Sequence, residues 1–200
     1  MSQFIIKSLI ATFKTLWSDK YFVYSTISGF IFFILSLIIN YNAIKYATSE
    51  AGNSVADILL DNLPIINTDI IFSEGALFFV LFIAILLFFN PKKIPFTLKS
   101  ISLFISIRSI FVIMTHLGPI TNRIITDLEK LYYISSGADL FFSGHTGLPF
   151  LMALVYWENK FLRFLFLIFS IIAALAVIFG HLHYTIDVFS AFFISYGIYR

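Results

Sequence analysis

Two short blocks hold the residues of this chain best equipped for chemistry: Ser143-Gly144-His145-Thr146, and the run HLHYTIDV from His181 to Val188. In the second, His183 and Asp187 stand four apart, so on a helix they share one face. A carboxylate so placed accepts a hydrogen bond from one imidazole nitrogen, fixes the tautomer, and leaves the other nitrogen as nucleophile or base. In the first block, Ser143 and Gly144 precede a helix start, where free backbone N–H groups and the helix dipole favour an anion, typically phosphate. His145 at that point can donate a proton to a departing oxygen. Each block alone also has a plain reading. One is an interfacial histidine near a capping or solvated acid; the other is an N-cap serine, a flexible glycine and an incidental histidine.

The elements that must position these residues are membrane helices. Of the 200 residues, 60% are hydrophobic and only 12% charged, and mean hydropathy is +0.95. A soluble core of this length cannot hide so much apolar surface, whereas a bilayer supplies the missing solvent. The absence of cysteine excludes disulfides and thiolate metal sites. A net charge of +2 is too small to argue for a nucleic-acid partner.

Apolar runs of roughly the 20 residues needed to cross the hydrocarbon core lie at about 21–40, 70–90, 97–117, 140–157, 161–180 and 184–200. Residues 41–69 read as a long polar connection, and the first 20 residues as an amphipathic helix lying on the membrane. With the N-terminus inside, nine of the 13 Lys and Arg residues fall on the inner side, Lys45, Arg123 and Lys130 on the outer side, and Arg108 within the third span. That distribution follows the positive-inside rule. The expected fold is one all-α integral membrane domain over 1–200, with six transmembrane helices and both termini cytoplasmic. Asp127, Glu129 and Asp139 join the outer loops. This topology brings both histidine blocks to the outer ends of their spans, 38 residues apart in sequence. Two such clusters at one depth favour the functional reading of both.

Polar groups inside a bilayer are costly and therefore informative. Arg108 is a candidate phosphate clamp; the alternative is an arginine that snorkels to a loop acid. His116, near the outer end of the same span, reads as an interfacial structural histidine. Pro149 cannot donate to the carbonyl of His145, which predicts a kink just below the site.

The two blocks together resemble motifs of the type 2 phosphatidic acid phosphatase superfamily. The first is similar to GD-x-x-x-SGHT, present as Asp139 followed by LFFSGHT, and the second to H-x-HYT-x-DV, present as HLHYTIDV. Within that superfamily the chain most resembles the sphingomyelin synthase branch. DNLPIIN at 61–67 and IRSIFVIMTHLGP at 107–119 are similar to its proline-containing stretch and its arginine-containing third span. The phosphatase branch carries K-x6-R-P and an arginine six residues before the second histidine. Here the first motif is missing and Val177 holds the second position.

The resemblance implies His183 as nucleophile on lipid phosphorus, Asp187 as its orienting partner, and His145 as the acid for the leaving group and then the base for the acceptor. It implies substrate-binding roles for Ser143, Gly144, Asp139 and Arg108, with Tyr184 at the rim and His181 behind the site. No cofactor is called for and no metal ligand set is evident. The implied partners are a membrane phospholipid donor and a lipid hydroxyl or water as acceptor. Transfer of a phosphorylated headgroup is the leading expectation. A lipid phosphate or isoprenoid diphosphate phosphatase is one alternative, and a non-catalytic lipid-binding or transport protein on the same fold is the other. The small size points to a bacterial inner membrane, with the site facing the periplasm or exterior. The topology has a direct test, because the chain offers no native thiol: a membrane-impermeant maleimide should label Asp139→Cys from outside and leave Lys92→Cys untouched. The reverse pattern inverts the orientation.

Overall fold

The computed structural model describes residues 2–121, 123 and 139–200. Asp127, Glu129 and Lys130, counted above among the outer-loop charges, lie outside the described residues. Among the described residues there are seven α-helices: α1 (Ser2–Ser18), α2 (Lys20–Ser49), α3 (Asp69–Phe89), α4 (Ile94–Met114), α5 (Gly144–Val155), α6 (Lys160–Phe179) and α7 (Thr185–Tyr199). No strand occurs among the described residues. Each apolar run of the sequence corresponds to a helix. Four stretches, Lys20–Ser49, Asp69–Phe89, Pro91–Met114 and Lys160–Phe179, are long and apolar enough to cross a membrane. The other two are shorter, at 12 residues for α5 and 15 for α7. At 1.5 Å per residue these extend ~18 and ~22 Å, against a hydrocarbon core of about 30 Å.

The largest departure from the sequence reading is α2, which runs on through residues 41–49 and does not give way to loop at residue 40. Its buried positions explain the extension. Phe22, Thr26, Gly29, Ser36, Ala43 and Ala47 are buried, spaced by fours, threes and sevens, and Phe33 and Asn40 complete the series. That is a heptad seam of mostly small residues, which lets two helix backbones approach closely in lipid. The partner is α4. A Cβ on Gly29 would stand 3.2 Å from Leu98 Cβ. Lys99 Nζ donates to Ser25 Oγ at 2.8 Å, and the Ser109 hydroxyl lies 3.3 Å from Asn40 Oδ1.

Asp19 ends α1 and caps α2, accepting from Tyr21 N–H at 3.0 Å. Along α1, Leu9, Thr12, Phe13 and Leu16 are half-buried while Lys7 and Lys14 are exposed, and Phe13 packs on Phe88 at the end of α3. This two-sided character is what an interfacial helix requires.

The second half of the chain supplies the core. Leu151, Met152 and Ala153 of α5 are fully buried, and α5 lies between α6 and α7. Two serines bind its backbone: Ser170 donates to Thr146 O at 2.8 Å, and Ser195 to Gly147 O at 3.1 Å. These bonds flank the turn weakened by Pro149, and α5 continues as helix through the proline. The proline does not interrupt the helix, and the turn where a kink is expected is braced by its neighbours. At the far end of α5, Lys93 Nζ donates to Val155 O at 3.0 Å, and Arg163 lies 4.5 Å over the Trp157 ring. The basic residues that define the expected inner side thus sit at the end of the bundle opposite the histidine blocks.

Gly147 is required by close packing. A Cβ there would meet the Phe104 ring at 2.8 Å and Ser195 Oγ at 2.9 Å. Gly147→Ala should therefore destabilise the protein by about 1–3 kcal/mol, read as a lowered unfolding temperature in detergent. An unchanged value would show that α4 and α7 yield freely at this contact.

Candidate active site

The site begins at the turn between α6 and α7. Helix α6 ends in a Schellman motif: Leu182 N–H donates to Val177 O at 2.9 Å and His181 N–H to Ile178 O at 3.0 Å. Leu182 and Val177 also pack together, which is the apolar contact that accompanies this cap. The left-handed position falls on His181, with φ of 53°, where glycine is the usual occupant. The turn delivers His183 two residues ahead of the first helical residue of α7. His183 and Asp187 therefore meet by a different geometry from the shared helical face expected. The histidine precedes the helix, and the aspartate reaches back over its first turn.

Asp187 is fully buried and His183 3% exposed. Asp187 Oδ2 lies 3.3 Å from His183 Nδ1 and accepts from Tyr184 N–H at 3.2 Å. The second contact satisfies one orphan donor of the helix start. With Nδ1 engaged by the carboxylate, Nε2 is the nitrogen left for chemistry.

The same aspartate joins the two blocks. Its backbone carbonyl accepts from Ser143 N–H at 3.0 Å, which sets the start of α5 beside the start of α7. Ser143 is the N-cap of α5: Oγ accepts from Thr146 N–H at 3.4 Å. His145 is the second residue of α5, and its ring stacks on Phe72 of α3 with centroids 3.8 Å apart and planes inclined by 25°. His183, Asp139 and Arg108 lie near this ring. Phe72 had no signature in the sequence, since it is one phenylalanine among 26 and only the fold brings it under the imidazole.

Arg108 is 8% exposed. Nε donates to Phe142 O at 2.9 Å, and Nη2 to Asp139 O at 2.7 Å and Asp139 Oδ2 at 3.2 Å. The guanidinium also lies against Gly144, where a Cβ would stand 3.5 Å from Nε. Thus Arg108 holds the segment leading into α5 and brings a fixed positive charge to that helix start. The loop-acid partner is present, and the guanidinium also stands beside the Ser143–Gly144 turn. Ser143, Gly144, His145, His183, Asp187, Arg108 and Asp139 form one cluster.

Tyr184 and His181 face elsewhere. The Tyr184 hydroxyl donates to Gly118 O at 2.9 Å and accepts from Val55 N–H at 3.0 Å, so both of its hydrogen-bonding roles are filled. His181 is 6% exposed, and its Nε2 is buried without a partner. Both residues line a cavity of about 290 Å³ together with Asp57, Asp61, Ile120 and Thr121. This cavity lies under a strap, residues 51–68, that crosses the site end of the bundle. Gly52 N–H donates to His116 O, and Gly118 N–H to Asn53 O. Gly118 is where the two segments touch: a Cβ there would collide with Gly52 O. Asp57 meets the start of α7, with Thr185 N–H at 2.6 Å from Oδ2 and Thr185 Oγ1 at 2.7 Å from Oδ1. Partial burial alone would raise the pKa of Asp57, but the hydrogen bonds from Thr185, Leu60 and Leu59 outweigh it and hold it below 3.8. Among the described residues, no cluster of three or more His, Cys, Asp or Glu side chains is arranged to hold a metal ion.

Fold and site together define a helical membrane protein with a buried histidine–aspartate pair facing a second histidine at a helix N-terminus. Residues 137–200, the segment that carries both blocks, match the family model described as PAP2 superfamily C-terminal. No curated protein and no solved structure matches the chain.

The filled hydroxyl of Tyr184 predicts its own test. Tyr184→Phe leaves Gly118 O and Val55 N–H without their partner and should cost about 1–3 kcal/mol. Hydrogen exchange should then quicken at 51–57 and not along α2 or α4. Uniform quickening would deny a local anchor.

Proposed function

We propose that this protein is a membrane enzyme that transfers a phosphorylated headgroup from a phospholipid to a lipid hydroxyl through a phosphohistidine on His183. The observation that carries the reading is Asp187, which holds His183 by its carboxylate and the SGHT helix start by its carbonyl. In the first step the Nε2 lone pair attacks phosphorus. A P–N bond forms, the P–O bond to the diacylglycerol breaks, and protonated His145 gives its proton to the departing oxygen. In the second step the acceptor oxygen attacks phosphorus while His145 removes its proton. The P–N bond then breaks and its electron pair returns to Nε2. The amides at the start of α5 and the Arg108 charge are suited to the phosphate oxygens throughout. Asp187 stabilises the cationic imidazole that each displacement transiently requires.

The lengths of the short helices favour a lipid as substrate. If Lys93, Trp157 and Arg163 mark one interface, a rise of ~18 Å along α5 puts His145 roughly 10 Å short of the other in a core of about 30 Å. A phosphate ester at the boundary of headgroup and acyl chain is reached more readily there than a soluble one. In the orientation expected from the basic residues, the site faces the outer leaflet.

Hydrolysis, with water as acceptor, is the second reading, and the family-model match accommodates it as well as transfer. Thin-layer analysis of a headgroup-labelled phospholipid incubated with purified protein, with and without ceramide or diacylglycerol, separates the two. Transfer yields a new labelled lipid only with acceptor; hydrolysis yields water-soluble label regardless. His183→Ala should lower either activity by at least about 10³-fold while the protein remains folded in detergent. Retained activity in that variant removes the nucleophile.

A further inference from the structure

Asp57 lies 128 residues from Thr185 in sequence, yet both of its carboxylate oxygens serve the helix that carries Asp187. Thr185 is the first residue of α7, and its N–H is one of the donors that a helix cannot satisfy internally. Tyr184 N–H is taken by Asp187 and Thr185 N–H by Asp57, so two carboxylates share the start of one helix.

Asp57 is itself fixed. Its Oδ1 accepts from Leu59 N–H at 3.0 Å and Leu60 N–H at 3.3 Å, its N–H donates to Asp61 Oδ2 at 3.2 Å, and its carbonyl accepts from Asp61 N–H at 2.8 Å. A single carboxylate therefore caps the turn at Leu60–Asn62 and, from outside, the start of α7. Its negative charge also lies at the positive end of the α7 dipole. An amide cannot replace it. With its oxygen toward Leu59, Leu60 and the Thr185 hydroxyl, its NH₂ would face Thr185 N–H; turned over, the NH₂ would face Leu59 and Leu60 N–H.

We propose that Asp57 is a positioning residue for the His183–Asp187 pair, clamping the N-terminus of α7 to the outer strap so that Asp187 stays in register with His183. The inference rests on the catalytic reading given above. It goes beyond that reading by coupling the 51–68 strap to the reacting groups. Loss of the clamp frees the first turn of α7, and Asp187 sits in that turn.

The test compares wild type, Asp57→Ala, Asp57→Asn and Thr185→Val in detergent. It uses turnover of a labelled phospholipid, the unfolding temperature, and ¹⁵N spectra of histidine-labelled protein. With four histidines in the chain, single substitutions assign each ring. Asp57→Ala should lower kcat about 10- to 100-fold with KM changed less than about threefold, and should weaken the Nδ1-protonated signature of the His183 ring. Asp57→Asn should fall between, and Thr185→Val, which keeps the backbone contact, should lose less. If Asp57→Ala fails to fold, Asp57→Asn and Thr185→Val carry the same comparison. Unchanged kcat and an unchanged His183 signature overturn the proposal, as does a lowered unfolding temperature without any change at His183. If wild-type protein turns over no phospholipid, the catalytic reading fails by itself. The His183 spectra then still decide whether Asp57 holds the pair.

Discussion

One buried aspartate organises the site. Asp187 offers its carboxylate to His183 and to the Tyr184 amide, and its carbonyl to the Ser143 amide. A fully buried carboxylate is costly, by several kcal/mol even after relaxation, so the surroundings must supply donors. They supply two for Oδ2, while Oδ1 has no partner. This deficit gives the neighbouring imidazole its use, because a cation forming on His183 has an unneutralised charge to meet. Losing the aspartate would detach α5 from α7 as well as His183 from its partner. The two histidine blocks are one site because its carboxylate holds one and its carbonyl the other.

From that centre the electrostatics follow. Helices α5 and α7 both begin here, so two positive dipole ends converge. Arg108 adds a full charge beside the start of α5. A concentration of positive potential inside an apolar bundle needs balance. Asp139 against Arg108, Asp187 against His183 and Asp57 against the start of α7 supply it.

Such placement requires a scaffold that does not shift, and lipid gives no hydrophobic drive between helices. The α2–α4 pair meets this through small residues on a heptad seam and through Lys99 and Ser109, which bond across it. Arg108 rides on α4, so the stiffness of that pair is transmitted to the start of α5. Helix α3 contrasts with it: Ser73, Phe79 and Ile83 alone are buried along its 21 residues. Its contribution to the site is the Phe72 ring, which orients His145 by stacking and demands less of the backbone than a hydrogen bond would.

Much of this was legible in the sequence because a bilayer makes polar residues conspicuous. His145, His183, Asp187 and Arg108 stand out where apolar residues are the rule, and the apolar runs locate helices to within a few residues. The extension of α2 past residue 40 was missed because Asn40, Tyr41, Asn42 and Lys45 read as loop. The seam through Ala43 and Ala47 was there to be found by following the heptad. Asp57 is a different case. It lies in a stretch where aqueous exposure makes acids ordinary, and its partner is 128 positions away, so neither spacing nor hydropathy marks it. Burial cost, the signal that exposes functional groups within the spans, vanishes at the water-facing strap. A residue that acts there by holding a helix end has no sequence signature until the fold supplies the end it holds.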